Sequence, residues 1–555
     1  MTGDLLVARL ERWSVERPGR KAMVYLGNGE DETDSLTFAE LHTAALDVSA
    51  RLAESHVSGR AVLVLTRDPM RFAVAVLGCF YAGAVAVPCG SAPRNRVHER
   101  LRSIIADCRP LAALVSNDSD EQVTLQELSI ATIKLEGIEK ARDRTPVASD
   151  PDAPALLQYT SGSTGSPKGV IITARNLSAN LKMLSNGFAV HQDSVFLCWL
   201  PLFHDMGLIA HLLTALHSGV PCILMQPLSF FQRPERWLKA ISRFGATISG
   251  GPNFAFELLL RRHDRSRLLD CDLSRWEVAF CGAEVIRAST MRRFAESHAA
   301  LGLRAGALYP CYGLAEATVF VTGSEPGRGF RTEQRDHHEF VSCGRAPEGT
   351  DVIIVDPDER TRRSDGEIGE IWVSGDHVSP GYWNRPEESE SIFRARLRTD
   401  TTTTYLRTGD LGWMSEGQLH FAGRLKDLIV WRGSNIHPED IEASAAELDA
   451  GFTAPSAAFG IDLGEHEAVV LMQEIARPSS SSFDAVTALA QLTSVVVQAH
   501  GIPLFDIVLV RPGTLPRTTS GKIQRRRCLD LYRSGLPAEM VIATLRSSRT
   551  RVSAD

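Results

Sequence analysis

The sequence is poor in lysine, lacks any CxxC pair and has no hydrophobic run long enough to cross a membrane comfortably. Only eight of its 60 basic residues are lysine. The skew fits a GC-rich coding bias, yet it makes each lysine worth inspecting, because a guanidinium cannot always replace a compact ammonium. The ten cysteines are scattered, several within apolar runs where a thiol behaves as a small hydrophobe. Neither a disulfide scaffold nor a zinc site is expected. The longest apolar run, residues 73–87, contains Gly78 and Gly83 and is too short for a span. A buried helix turning into a buried strand is expected there. The first residues carry Asp4, Arg9 and Glu11 among apolar positions, the pattern of an amphipathic helix rather than a signal peptide. The expected compartment is the cytosol. Basic charge is not in excess either: the net charge is −7, which gives no reason to expect nucleic acid as a partner.

What is present is ordinary globular material. The chain has 555 residues, 44% hydrophobic and 23% charged, enough for a large core. As far as about residue 320, short apolar stretches such as AVLVL (61–65) and GVPCILM (219–225) alternate with helical patterns. That rhythm predicts parallel βαβ units and an α/β fold. From about 341 the texture becomes short strands between Gly, Asp and Pro turns, an antiparallel, barrel-like pattern over about 341–423. GRLKDLIVWRGSNIHPEDIE then begins a small α+β unit. A domain boundary is placed at 424–427, with 1–423 as the large N-terminal part and 428–555 as the small C-terminal part.

The strongest local signal is YTSGSTGSPKG, Tyr159 to Gly169. Hydroxyl residues and glycines crowd ahead of Lys168, directly after an apolar strand. Glycines let backbone amides approach an oxyanion, and hydroxyls and an ammonium add donors. The loop predicts phosphate binding. It is not a P-loop of the G-x-x-x-x-G-K-[ST] kind, because Pro167 precedes the lysine and glycine follows it. A P-loop NTPase or kinase is therefore disfavoured.

Together with YGLAEAT (312–318), YLRTGD (405–410), GRLKDLIVWRG (423–433) and LPRTTSGKIQRR (515–526), this loop resembles the signature set of the adenylate-forming superfamily of acyl-CoA synthetases, luciferases and nonribosomal adenylation domains. The resemblance spans nearly the whole chain. It implies ATP and Mg2+ as cofactors and an acyl-AMP intermediate. It implies that Thr160, Ser161, Gly162, Ser163, Thr164, Gly165 and Lys168 hold the β- and γ-phosphates, with Thr164 also touching the AMP phosphate. Glu316 corresponds to the magnesium position. Gly282, Ala283, Glu284, Cys311, Tyr312 and Gly313 correspond to the adenine wall, and Asp410 and Arg424 to the ribose site. Lys522 corresponds to the catalytic lysine. Lys426 corresponds to the hinge on which the small C-terminal lid domain turns. Arg525, Arg526 and Arg527 read as a solvated basic face beside it.

Within the superfamily, residues 199–254, 280–287 and 308–323 look most like fatty acyl-AMP ligases. That branch implies His204 and Asp205 near the acyl carboxylate and Gly250, Gly251 and Pro252 along the acyl tunnel, where missing side chains leave room for a chain. It implies transfer of the acyl group to the phosphopantetheine of an acyl carrier protein. One departure stands out. Between Gly323 and Val341 the chain has only SEPGRGFRTEQRDHHEF, where fatty acyl-AMP ligases usually carry a longer insertion associated with excluding CoA. This remnant reads as a polar surface loop, and it keeps an acyl-CoA ligase using free CoA open as the alternative. A non-catalytic scaffold is disfavoured, since Lys168, Glu316, Asp410 and Lys522 are all present.

Overall fold

A computed structural model describes residues 5–546, apart from 91–96, 118–120, 138–144, 149, 161–166, 263–264, 336–337, 432–433, 447, 449–454, 463–466, 476–483, 501 and 519–521. The chain divides into two compact units. One comprises Met1–Thr408 with Gly412–Phe421, the other Gly409–Leu411 with Ala422–Asp555.

The first unit is built on two largely parallel sheets. An eight-stranded sheet runs Thr322–Gly323, Leu308–Tyr312, Val278–Cys281, Ile248–Gly251, Phe196–Cys198, Cys222–Met225, Lys21–Leu26, Asp34–Thr37. A six-stranded sheet runs Ala131–Lys134, Ala112–Val115, Ala61–Leu65, Val85–Pro88, Pro154–Thr160, Lys168–Thr173. In both, the interior pairs are parallel and antiparallel strands close an edge. Interior strands such as Ala61–Leu65 are buried at every position, which is why they read as continuous apolar runs rather than alternating ones.

Helix starts follow from local chemistry. The Thr37 hydroxyl and the Glu40 carboxylate form a reciprocal capping box ahead of Phe38–Ala53, satisfying donors that the first helical turn leaves free. Asp68 caps Pro69–Tyr81, with proline at its first position. The 73–87 run divides as expected, into the end of that buried helix and the strand Val85–Pro88. Gly78 lets the two helices touch, since a Cβ there would lie 2.3 Å from the Val48 side chain.

After residue 341 comes a four-stranded sheet of sequence neighbours, Asp351–Val355, Gly369–Ser374, Leu406–Ser415 and Gln418–Arg424. The stretch expected as a loop between Gly323 and Val341 instead forms an antiparallel hairpin, Thr332–Arg335 against His338–Val341. Polar anchors hold it. The Trp413 indole N–H donates to Glu333 at 3.1 Å, Arg335 lies over the Trp413 ring and donates to the Gly366 carbonyl, and Arg292 pairs with Glu339. These partners are 31 or more residues away from the hairpin in sequence, which is why its composition alone read as loop.

The second unit has a sheet ordered Ser456–Asp462, Glu467–Glu474, Leu504–Val510, Val541–Arg546. Helices Pro438–Ala446, Ala485–His500 and Arg525–Ser534 accompany it. The Ser-rich stretch 477–483 lies outside the described residues. Among the described residues no helix is long and apolar enough to cross a membrane.

Candidate functional site

The glycine-rich loop joins two antiparallel strands. Tyr159 pairs with Gly169 and Thr160 with Lys168, so the two ends of the loop are held side by side. Ser161, Gly162, Ser163, Thr164 and Gly165 lie outside the described residues. Gly169 is required where it stands, because a Cβ would fall 2.9 Å from the Tyr159 ring. That ring is fixed by a hydrogen bond from its hydroxyl to Asp107 at 2.7 Å.

Lys168 is buried, and its ammonium pairs with Glu388. The same ammonium sits 5.2 Å from the centre of the Tyr382 ring, within the range of a cation–π contact. The Tyr382 hydroxyl donates to Glu316 Oε1 at 2.9 Å. Four side chains from three distant segments thus form one row, Glu388–Lys168–Tyr382–Glu316. Burial and the Glu316 charge push the Tyr382 phenol well above its ordinary value, so it remains a neutral donor. Residues 379–383 reach this place by running beside Lys168–Thr173. Ile171 N–H donates to the Gly381 carbonyl and Trp383 N–H to the Gly169 carbonyl.

Glu316 sits in a short turn after the strand Leu308–Tyr312. Its own carbonyl accepts Ser379 N–H. Two residues on, Thr318 has φ 68° and ψ −62°, and Val319 N–H bonds the Ala317 carbonyl at 2.8 Å. This is a γ-turn of the rare, strained hand. The fully buried Thr318 hydroxyl, bonded to the His377 carbonyl at 2.7 Å, helps to hold it.

A small, partly open cavity of about 40 Å³ adjoins this turn. Ala283, Cys311, Tyr312 and Gly313 line it together with Asp205, Met206 and Phe280. It therefore brings together four residues expected at an adenine wall and one expected near an acyl carboxylate. Ala283 holds a left-handed conformation, φ 68°, costly for a non-glycine residue and typical of ligand clamps. Gly313 allows a tight crossing, since a Cβ would come within 1.8 Å of the Val319 carbonyl oxygen. Gly282 likewise faces Cys311 at 2.9 Å. Tyr312 stacks on Phe421 with ring centres 6.1 Å apart.

Asp205 opens a π-helix, Met206–Leu213, by accepting Met206 N–H. Such helices are rare and concentrate at functional positions. His204, next to it, lies against the Phe203 ring. Inside the π-helix, fully buried His211 donates from Nδ1 to the Met206 carbonyl at 2.9 Å. Burial holds its pKa down to about 4.

Three expected site residues have internal packing partners. The Glu284 carboxylate accepts Phe254 N–H at 2.6 Å, at the start of helix Asn253–Arg262. The space a Cβ would take at Gly250 is filled by Phe280, with contacts of 2.2 Å to its carbonyl oxygen and 2.5 Å to its ring. At Gly251 that space is filled by the Trp199 ring, 2.7 Å away. The room left by these two glycines is thus occupied by protein. Pro252 follows them at the strand end.

In the second unit, Asp410 is buried and pairs with exposed Arg424 at 3.3 Å. Lys426 is exposed. Lys522 is tied to Thr518, its N–H donating to the Thr518 hydroxyl at 3.0 Å and its carbonyl accepting Thr518 N–H at 2.7 Å. Arg525 corrects an expectation. Instead of facing solvent with Arg526 and Arg527, its largely buried guanidinium packs against Glu442, Glu439 and Asp427. The KIQRRR run hid this because its acidic partners are 83 to 98 residues away.

Sequence reasoning also missed Tyr382 and Glu388. The signal was there in SPGYWNRPEE, an aromatic pair between turn-forming prolines. Only tertiary structure puts it beside Lys168, 220 residues away from Glu388.

A family model described as AMP-binding enzyme matches residues 10–383. The chain is 34% identical to a medium-chain-fatty-acid–[acyl-carrier-protein] ligase, JamA of Moorena producens, with 94% of each chain covered. It is 35% identical to a long-chain-fatty-acid–AMP ligase, FadD26 of Mycobacterium marinum, covering 96% of this chain and 98% of that one. Among solved structures it resembles a fatty acyl-adenylate ligase from L. pneumophila in complex with acyl adenylate and pyrophosphate, with TM-score 0.74, 34% identity and 98% of each chain covered.

Proposed function

We propose that this chain, which belongs to the AMP-binding enzyme family, activates a fatty acid with ATP to an acyl-AMP, releases pyrophosphate and passes the acyl group to the phosphopantetheine thiol of an acyl carrier protein. The observation that carries this reading is the Lys168–Tyr382–Glu316 row set between the glycine-rich hairpin and the cavity. Full-length similarity to enzymes named for fatty acyl-AMP and carrier-protein ligation supports it.

The chemistry explains the residues. A carboxylate is a poor electrophile until its oxygen is joined to a good leaving group. Attack on the α-phosphorus supplies one but brings two anions together. Preorganised cations and donors must therefore sit where charge collects. The hairpin amides and hydroxyls, with Lys168, hold the β- and γ-phosphates. Ala283, Cys311, Tyr312 and Gly313 hold adenine, and Asp410 accepts from the ribose hydroxyls with Arg424 beside it. The Lys522 ammonium bridges the carboxylate and α-phosphate, easing their repulsion by charge and orientation without moving a proton. His204 and Asp205 flank the acid. Lys426 is the hinge residue between the two half-reactions.

Glu316 fits a magnesium ion. Tyr382 engages only its Oε1, which leaves Oε2 for a hard cation. When bound, that ion neutralises phosphate charge.

The short hairpin Thr332–Val341, where this branch usually has a longer insertion, favours a second reading, transfer to free CoA. A thiol competition separates the two. The protein, ATP, Mg2+ and a ladder of carboxylic acids are given either CoA or a phosphopantetheinylated carrier protein, and products are read by mass spectrometry. Acyl-carrier without acyl-CoA is expected. Efficient acyl-CoA formation overturns carrier exclusivity, and no acyl-AMP with any acid overturns the reading altogether.

A further inference from the structure

We propose that Tyr382 is a positioning residue that uses its two ends separately: its hydroxyl sets the carboxylate of Glu316 for the metal, and its ring face holds the ammonium of Lys168 for the polyphosphate. The inference rests on the adenylating function above and deepens it.

The geometry supplies both halves. The hydroxyl donates to Glu316 Oε1 at 2.9 Å, fixing which carboxylate oxygen remains for a cation. The ring centre lies 5.2 Å from Lys168 Nζ, and Glu388 pairs with the same ammonium. Lys168 is therefore held between a carboxylate and an aromatic face at the base of the hairpin. Tyr382 cannot drift. It is 7% exposed, it bridges Val170 on the adjoining strand, and its N–H donates to the Ser389 hydroxyl at 2.8 Å. Phe393 packs edge-on against its ring at 4.9 Å. A side chain rigid in this way transmits the spacing between Glu316 and Lys168. A polyphosphate engaged from both sides by these two residues would need that spacing held constant.

The two ends can be removed one at a time. Tyr382→Phe keeps the ring and deletes the hydroxyl, and Tyr382→Leu deletes both. Binding of ATP to the full chain is measured by titration calorimetry, first with EDTA and then across a Mg2+ series. ATP–pyrophosphate exchange with a fatty acid is followed in parallel. For Tyr382→Phe the Mg2+ half-saturation rises about tenfold, the size of a lost hydrogen bond to a charged group, while metal-free ATP binding stays within twofold of wild type. For Tyr382→Leu metal-free ATP binding also weakens, by about threefold, the size of a lost cation–π contact. The inference is overturned if Tyr382→Phe leaves the Mg2+ half-saturation unchanged, or if both variants weaken metal-free binding equally, as a merely structural role would. Should Tyr382→Phe not fold, 3-fluorotyrosine at 382 alters the hydroxyl's acidity with little change of shape. It must shift the Mg2+ half-saturation and leave metal-free binding alone. A wild-type chain that binds MgATP yet exchanges no pyrophosphate with any acid overturns the functional reading, and the binding data on Tyr382 stand apart from it. A wild-type chain that binds no ATP overturns both.

Discussion

Arg525 and Glu442 are joined at two points, Nε to Oε1 at 2.7 Å and Nη2 to Oε2 at 2.8 Å. The remaining nitrogen, Nη1, donates to Glu439 at 2.6 Å and reaches Asp427 at 3.3 Å. One guanidinium thus ties the helix that follows Lys522 to helix Pro438–Ala446 and to the segment just past Lys426. Removing one partner of such a buried cluster leaves charges uncompensated and costs about 3–5 kcal/mol. Arg525→Met is expected to lose that much, and Arg525→Lys most of it, because an ammonium cannot make the two-point contact. Hydrogen exchange followed by mass spectrometry on peptides covering 438–446 and 525–534 reads the loss. Unchanged protection in Arg525→Met sinks the expectation.

The same cluster makes stability depend on pH. Burial, with help from the neighbouring charges of Glu442 and Asp427 and against the pull of Arg525, raises Glu439 to about 7 from an ordinary 4.5. Between those values the folded state keeps a proton that the unfolded chain gives up. This group's contribution to stability is therefore greatest below about pH 4.5 and falls as pH rises towards 7. Glu439→Gln has no such proton to lose. Melting curves at pH 5, 6, 7 and 8 are expected to show Glu439→Gln gaining on wild type as pH rises; a constant difference contradicts this.

His211 acts in the opposite direction. Its folded pKa, about 4, is below the ordinary 6.5. The unfolded chain therefore binds a proton first as pH falls, and stability is lost between about 6.5 and 4. Nε2 is buried with no partner, so a charged ring there has nothing to pay its desolvation. In His211→Gln the acid-side loss is expected to be smaller. Thermal melts of both proteins between pH 7 and 4 test this, and parallel curves refute it.

Gly313→Ala places a methyl group 1.8 Å from the Val319 carbonyl oxygen, in a turn already tightened at Thr318. Backbone cannot yield as a flexible side chain does. The substitution is expected to cost about 3 kcal/mol or more and to abolish ATP binding, since Gly313 lines the cavity. Calorimetric titration with ATP and a melting curve check both effects. Normal ATP affinity in Gly313→Ala means the cavity is not the nucleotide site.

The parallel sheets were readable because their strands are buried on both faces, so that each is a short apolar run between helical patterns. AVLVL is the plainest instance. The phosphate-loop expectation rests on a related kind of signal: donors for an anion would come from consecutive backbone positions, a spacing the sequence displays. The hairpin Thr332–Val341 was not legible, since its anchors are Trp413, Arg292 and the Gly366 carbonyl. Nor were the packing roles of Gly250 and Gly251. A missing Cβ looks alike in sequence whether a ligand or the Phe280 and Trp199 rings take the space.

By itself, then, the sequence determined the α/β fold, the family and the kind of chemistry, all of which rest on local order: apolar runs, capping residues and motifs of adjacent residues. Tertiary structure alone decided which charges meet. It set Tyr382 between Lys168 and Glu316, placed Arg525 among three carboxylates and left His211 neutral inside a π-helix. Ion pairs, cation–π contacts and desolvation depend on distances through space between segments tens to hundreds of residues apart, and no local pattern encodes those distances.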